Sequence, residues 1–202
     1  MNSSRWSNFV AVCLFSLGMS PVADAALVSR LGGQAYYDNV LGVTWTADAN
    51  INGLMNWADA NAWVGSLTVG GVGGWRLPSV DVDGNGTVVD CSTASELACR
   101  DNELGYMFFQ NGVNVSNPAP FSNLMSEFYW SGTVSSPANP FRAWVFEFST
   151  GFLLADGQAT DLDRAWAVYD GDIGAVPLPA PLVLFASGLL GLIGVSRRNR
   201  AT

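Results

Sequence analysis

The chain has 202 residues, 49% of them hydrophobic, which suits a single domain with a buried core. Its nine basic residues, all arginine, face 17 acidic ones, and the net charge of -8 repels phosphate, which argues against nucleic acid as a partner. The chain contains no histidine, which excludes Ser-His-Asp and Cys-His catalysis, histidine-ligated zinc and a histidine pH switch.

Residues 1–25 have the order of a cleavable secretory signal peptide. One positive charge, Arg5, precedes the apolar run 9–17, and Ala23 and Ala25 follow in A-x-A spacing. Such a run is too short to span a bilayer of about 30 Å, and the alternative, a buried first helix, does not account for the A-x-A site. We expect signal peptidase to cleave after Ala25, and a mature protein with its original N-terminus would contradict this.

A β-hairpin and a helix are predicted for the first part of the domain. Residues 35–37 and 43–46 are rich in aromatic and β-branched residues, and the Asp-Asn pair at 38–39 is typical of a turn. Asn52 then precedes the segment 54–67, in which apolar residues recur at intervals of three and four. We therefore expect a helix over 54–67 that Asn52 caps.

The loop after this helix has the most specific chemistry in the chain. Asp81, Asp83 and Asn85, with Gly86 next, reproduce the first half of an EF-hand calcium loop, but its last position is Ser92 instead of glutamate. The same letters also fit a tight solvated loop, and the Asn-Gly-Thr triplet is a glycosylation sequon. The calcium interpretation, a weak site suited to extracellular levels, gives these ligands: Asp81, Asp83, Asn85, Thr87 and Asp90.

Cysteine usage agrees with export. Cys13 lies in the signal peptide, so Cys91 and Cys99 remain and would pair in an oxidising compartment. A loop this small stabilises by about 2–3 kcal/mol in the chain-entropy picture. The alternative, a redox or metal-binding role, is disfavoured because C-x-x-C spacing and a third soft ligand are both lacking.

The rest of the domain is predicted to contain one helix and four strands. Trp144, Phe146 and Phe148 alternate, which puts them on one face of a strand. Helices among antiparallel strands indicate an α+β domain over residues 26–172. We expect the helix at 102–110 and the strands at 129–133, 143–148, 152–154 and 164–169.

The tryptophans of the domain have two interpretations. They are either platforms for stacking sugar rings or large contributors to the core. Most of them lie in alternating strands or on the apolar stripe of a helix, which favours the core. We expect Trp45, Trp130 and Trp166 to be structural.

The segment 173–202 has the composition of a membrane-directed C-terminus. Its uncharged stretch 178–195 would reach about 27 Å as a helix, enough to cross the hydrocarbon layer. The apolar run from Leu182 to Val195 forms most of this stretch and is the predicted membrane anchor. The positive-inside rule keeps a following basic cluster in the cytoplasm. That cluster consists of Arg197, Arg198 and Arg200.

This C-terminus resembles the PEP-CTERM class of sorting signals in its VPLPA variant. A proline-containing motif, a short spanning helix and an arginine cluster follow one another in that order. The resemblance implies that an exosortase, a membrane protease-transpeptidase, recognises the motif and removes the helix. The alternative is a tail anchor that is never processed. The motif consists of Val176, Pro177, Leu178, Pro179 and Ala180.

The domain itself resembles the Lcl C-terminal domain family, which is related to the C-type-lectin-like fold. The resemblance implies a C-type-lectin-like α+β domain of short antiparallel strands with two helices. The chain departs from the family at Tyr169-Asp170, where the family often has an arginine, and this weakens the inference of a basic binding spot there. The resemblance rests on Trp57-Ala58, Gly74-Trp75-Arg76-Leu77-Pro78, Tyr129-Trp130-Ser131-Gly132-Thr133, Ala143-Trp144 and Ala165-Trp166-Ala167-Val168.

These features predict a protein exported across the inner membrane, anchored by its C-terminal helix, and then displayed on the cell surface or in the extracellular matrix. The main hypothesis is a non-catalytic module that binds extracellular polysaccharide or another matrix component. The alternative is a structural protein of a biofilm or exopolysaccharide matrix without a specific ligand. A third hypothesis, a hydrolase that uses carboxylates alone, is disfavoured because no motif fixes an acidic pair.

Overall fold

Two β-sheets and three short α-helices make up residues 27–174, the part of the chain that the computed structural model describes. The first sheet is antiparallel throughout. It consists, in spatial order, of β1 (Leu27–Arg30), β2 (Ala35–Asp38), β3 (Val43–Thr46) and β9 (Val168–Asp170).

The second sheet has five strands and is mixed. Its β8–β5 contact is parallel, whereas the other pairs are antiparallel, so the described residues confirm a mixed α+β domain built mostly of strands. The strands are, in spatial order, β4 (Leu54–Met55), β8 (Asp163–Arg164), β5 (Phe128–Ser136), β6 (Asn139–Glu147) and β7 (Phe152–Gly157).

The predicted hairpin is confirmed as β2 and β3. Ala35 pairs with Thr46, and Asp38 pairs with Val43. The side chain of Asp38 closes the turn, since its Oδ1 accepts hydrogen bonds of 2.9 Å from the backbone N–H groups of Val40 and of the next residue. The turn chemistry was therefore readable from the sequence.

The first helix begins later than predicted. It is α1 (Trp57–Ser66), and Asn56 caps it in place of Asn52, accepting a hydrogen bond from the N–H of Asp59 at 2.9 Å. Leu54 and Met55, which were predicted to be helical, instead pair with β8 as strand β4. A contact between segments distant in sequence thus overrides the helical periodicity.

The predicted count of two helices is wrong for the described residues, which contain three. The predicted helix at 102–110 is confirmed as α3 (Glu103–Phe109), with Asn102 as its cap. An additional helix, α2 (Glu96–Cys99), is only four residues long, too short to show an apolar stripe.

The predicted closing strand at 164–169 is also wrong. The chain leaves the second sheet after β8 and joins the first as β9, and Trp166 lies between the two. Trp166 is fully buried, and its ring centroid lies 4.7 Å from that of Trp45 and 4.8 Å from that of Phe121. Where the chain passes from one sheet to the other, it places the Trp166 side chain in the core and the strand hydrogen bonds are interrupted.

The end of β6 packs against hydrophobic clusters on both faces. Phe146, together with Phe148 just after the strand, belongs to one cluster, which the half-buried Trp144 contacts, while Ala143 and Val145 belong to another. The predicted alternation is therefore confirmed. Trp45, Trp130 and Trp166 are fully buried, as expected for structural residues.

A buried ion pair joins α3 to the loop that follows α1. The guanidinium of Arg76 holds the carboxylate of Glu103 through two hydrogen bonds of 2.8 and 2.7 Å, and Glu103 is only 2% exposed. The N–H of Ser79 donates a third, at 2.6 Å. The carboxylate is thus fully enclosed by donors, as burial of its charge requires.

Both terminal segments lie outside the described residues. The predicted signal peptide with its Ala23 and Ala25 site, the sorting motif and the C-terminal anchor all fall there. Within residues 27–174, no helix combines the length and hydrophobicity needed to cross a membrane.

Replacing Arg76 with alanine should destabilise the domain by about 3–5 kcal/mol, because Glu103 would be left as an uncompensated buried charge. Chemical denaturation monitored by tryptophan fluorescence measures this. Arg100→Ala is the matched control, since Arg100 pairs with Glu96 on the surface, and we expect little change from it. Equal effects of the two substitutions would contradict the assigned importance of the buried pair.

Candidate functional site

Three carboxylates meet at the predicted calcium loop, residues 81–90, which we call the cation loop. Oxygens of Asp81, Asp83 and Asp101 lie within 4.8 Å of one another. The backbone holds Asp101 in this place, because the N–H of Val82 donates to its carbonyl at 3.0 Å and the N–H of Asp83 donates to its Oδ1 at 2.8 Å. Two of the predicted ligands are thus brought together with a residue that the sequence pattern did not indicate.

The other predicted ligands organise the loop. Asn85 donates from Nδ2 to Asp83 Oδ2 at 2.8 Å, and its Oδ1 accepts from the N–H of Thr87 at 2.7 Å. Asp81 Oδ2 accepts from the N–H of Gly86 at 3.0 Å, whereas Asp81 Oδ1 is buried and has no hydrogen-bond partner among the described residues. An all-oxygen donor set with one unsatisfied carboxylate oxygen fits a hard cation such as calcium.

Asp90, the predicted closing ligand, is not part of this group. Its Oδ1 accepts from the N–H of Ser92 at 3.0 Å and from its hydroxyl at 2.6 Å. These hydrogen bonds, the one from the hydroxyl above all, lower the pKa of Asp90. Asp101 takes its place because the chain returns to the loop after the disulfide.

The predicted disulfide is present. Cys91 and Cys99 are bonded, with their Cα atoms 5.0 Å apart. Asp101 follows Cys99 by two residues. The disulfide therefore restricts the path by which the chain returns from residues 91–99 to the cation loop. The cysteine pair was the sequence feature that indicated a return of the chain toward the cation loop, but it did not indicate which residue after Cys99 would join the carboxylates.

A broad groove is lined in part by Cys91 of the disulfide. We call it the aromatic groove; its volume is about 850 Å³, and it is lined by residues 88–92, α3, the end of β6 and the start of β7. Phe109, Trp144 and Phe146 line it, whereas Phe152, which is 56% exposed, pairs with Glu147 and so has its side chain on the opposite face of the sheet from Trp144. Ligand sites are commonly concave and lined by aromatic side chains together with some polar ones.

Two lining residues are glycines with close neighbours. A Cβ at Gly105 would lie 2.8 Å from Cys91 Sγ. Gly151 has a φ of +79°, and a Cβ there would lie 2.7 Å from the ring of Phe109. Side chains at these positions would displace the disulfide or the ring, so the shape of the groove depends on both glycines.

Acidic and hydroxyl groups supply the polar part of the aromatic groove. Asp90, Ser92 and Thr150 line it. Glu147 borders it at the end of β6, but its side chain lies on the opposite face of the sheet from Trp144 and accepts from the hydroxyl of Ser149 at 2.7 Å and from that of Thr150. None of the five arginines among the described residues lines the groove. Its local charge is therefore negative.

A smaller groove of about 630 Å³ adjoins the cation loop. It is lined in part by Asn61, Arg76, Thr133 and Asp81. The guanidinium of Arg76 is already held by Glu103 and by Asp170, to which it donates at 2.8 and 2.6 Å, and these partners raise its pKa in spite of burial. The positive charge in this groove is thus neutralised within the protein.

One buried carboxyl stands apart from both grooves. Asp163 on β8 is 7% exposed, and its Oδ2 has no hydrogen-bond partner among the described residues. Burial, together with the nearby carboxylates of Asp156 and Asp161, raises the pKa of Asp163 to about 7. Since Asp163 lines neither groove, its titration bears on stability.

Comparison with known proteins agrees with one of the two resemblances. The model of the family described as Lcl C-terminal domain matches residues 34–169, more than half of the chain. The matched span contains the cation loop, the disulfide, the aromatic groove and all of the residues that line the smaller groove except Asp170. A search of curated proteins gives no match.

Asp163→Asn should stabilise the protein at pH 8 and change its stability little at pH 4. An aspartate with a raised native pKa favours the fold while protonated, so its contribution declines as the pH rises from about 4 to about 7. The amide keeps the shape of the neutral acid at every pH. Thermal unfolding of both proteins across this range measures the effect, and an equal shift at pH 4 and pH 8 would contradict it.

Proposed function

Because the chain belongs to the Lcl C-terminal domain family, we propose that it is an exported, non-catalytic surface module that binds a glycan or another matrix component. A fold alone does not specify a ligand. The observation that carries the proposal is the aromatic groove, whose lining includes the half-buried Trp144 and the polar residues Asp90, Ser92 and Thr150.

The chemistry of this groove suits sugars. A pyranose ring has an apolar face of C–H groups that packs on an aromatic ring, and Trp144 provides such a ring. Its hydroxyl groups need acceptors, and Asp90 supplies carboxylate oxygens. The C-type-lectin-like relation of the fold belongs to the same proposal, and the family resemblance supports it.

The proposal of a non-catalytic role rests on the state of the acidic groups. A general acid needs a carboxyl whose pKa is raised toward neutrality and which reaches the substrate. Asp163 has such a pKa but lies outside both grooves, whereas the pKa of Asp90 in the aromatic groove is lowered. The absence of histidine from the chain removes the commonest general base.

Export and sorting are proposed from the two ends of the sequence. Signal peptidase would remove residues 1–25, and an exosortase-type protease would act at the motif Val176 to Ala180. The disulfide supports an oxidising compartment. The intact mass of protein recovered from its native envelope reports both cleavages, and a full-length mass would contradict both.

Calcium is the proposed cofactor. Asp81, Asp83 and Asp101 would hold it, with Asn85 supporting Asp83. The ion would neutralise three adjacent carboxylates and satisfy the buried oxygen of Asp81. The ion would therefore stabilise the folded conformation of the cation loop.

Millimolar calcium should raise the melting temperature of the protein, because an ion at ten times its dissociation constant adds about 1.4 kcal/mol to stability. Asp101→Asn should abolish this increase. Asp90→Asn, the control, should preserve it, since Asp90 lies outside the carboxylate group. An unchanged melting temperature in the unmodified protein would refute the site.

The whole protein should bind members of a glycan array, and Trp144→Ala should weaken that binding about tenfold because a stacking ring is lost. Phe141→Ala is the matched control, since Phe141 is 78% exposed but does not line the groove. Affinities are measured by calorimetry. Absence of any glycan binding would favour the alternative, a structural matrix protein without a specific ligand.

A further inference from the structure

We propose that the Cys91–Cys99 disulfide is a redox switch that keeps residues 81–101 ordered, while the rest of the domain folds without it. We call residues 81–101 the disulfide segment. The inference goes beyond the proposed function and does not depend on any ligand.

The disulfide segment has no fully buried side chain apart from its two cysteines. Cys91 is 5% exposed and Cys99 is fully buried, whereas every other residue of 81–101 is half-buried or exposed. Buried residues resume on either side, at Val80 and at Asn102. A segment with few buried apolar contacts opens at a lower cost in free energy than the core does. The bond between the cysteines is therefore the main restraint on the segment.

The secondary structure and the charge of the segment do not compensate for its lack of core. Its helix α2 is only four residues long, and so short a helix is not stable by itself in water. The segment also contains five acidic residues and one arginine, so its own charges repel one another. Without the crosslink, both features favour a looser segment.

Two side-chain hydrogen bonds also tie the segment to α3 and its capping residue. Asn102 donates from Nδ2 to the carbonyl of Val89 at 3.0 Å, and the hydroxyl of Tyr106 donates to Glu96 at 2.8 Å. The side chain of Glu96 is 45% exposed, so water competes for this second bond. These contacts orient the segment but are too few to offset the conformational entropy of all its residues.

The remainder of the domain has anchors of its own. Among the described residues, the two large hydrophobic clusters contain no cysteine, and Cys91 and Cys99 belong to a small third cluster with Tyr106. Glu103, at the start of α3, is held by Arg76 at 2.7 Å. Loss of the disulfide should therefore leave the sheets and α3 folded and release the segment alone.

A dithiol such as dithiothreitol supplies the reducing step. One thiolate of the reductant attacks a cysteine sulfur and breaks the S–S bond, and its second thiolate then resolves the mixed disulfide. The protein takes up two electrons and two protons to form two thiols, and the reductant becomes a cyclic disulfide. Cys91 lines the aromatic groove, so the reductant can approach the bond from that side.

Release of the segment would alter both candidate sites. Residues 88–92 line the aromatic groove, and the carboxylates of Asp81, Asp83 and Asp101 form the cation group. Thiols stay reduced in the cytosol and form disulfides in oxidising compartments. The two sites would therefore take their final shape only after the proposed export.

Limited proteolysis of the whole protein with chymotrypsin tests the switch. Leu97 on α2 is 72% exposed and Phe141 on β6 is 78% exposed, so they are matched cleavage sites inside and outside the segment. Dithiothreitol should accelerate cleavage after Leu97 by about tenfold or more, and change cleavage after Phe141 by less than about twofold. Fragment masses distinguish the two sites.

A variant without the crosslink provides the second measurement. Cys91→Ser combined with Cys99→Ser should be cleaved after Leu97 as fast as the reduced protein, and dithiothreitol should have no further effect on it. Fluorescence of the buried Trp45 and Trp130 checks that the variant keeps its core. If the variant does not fold, reduction of the folded unmodified protein decides the question.

Two results would overturn the inference. Unchanged cleavage after Leu97 in the reduced protein would show that other contacts hold the segment. Equal acceleration after Leu97 and after Phe141 would show that the disulfide stabilises the whole domain and not this segment. Neither result involves a glycan or an ion, so the proposed function is tested separately.

Discussion

The buried pair of Arg76 and Glu103 is the interaction on which the arrangement of the loops depends. Glu103 is the first residue of α3, and Arg76 lies in the loop that follows α1, so the pair fixes the relative position of two segments that share no sheet. Because the Glu103 carboxylate is almost entirely buried, alternative positions of the loop would leave a charge without partners. The ion pair thus selects one arrangement.

The consequences of this pairing reach the cation loop and the edge of the first sheet. Ser79, which donates its N–H to Glu103, also contacts the hydroxyl of Thr133 on β5 at 3.1 Å, and its hydroxyl accepts from the N–H of Asp81 at 3.0 Å. Arg76 itself exchanges backbone hydrogen bonds of 2.8 and 2.9 Å with Val168 on β9. The buried Glu103 carboxylate therefore positions Ser79, which in turn positions Asp81 at the start of the cation loop.

Local patterns in the sequence predicted the elements that local forces determine. The β2–β3 hairpin and the disulfide follow from turn residues and cysteine count. The split between β8 and β9 was missed because burial of Trp166 between two sheets leaves no local signal. Asp101 was missed for the same reason, since it joins the cation loop through tertiary contacts.

The disulfide links the two candidate sites through one covalent constraint. Cys91 lines the aromatic groove and lies against Gly105 of α3, while Cys99 precedes Asp101 of the cation loop by two residues. Movement of the 91–99 segment would therefore alter a wall of the groove and the carboxylate group together. A single crosslink thus constrains both candidate sites.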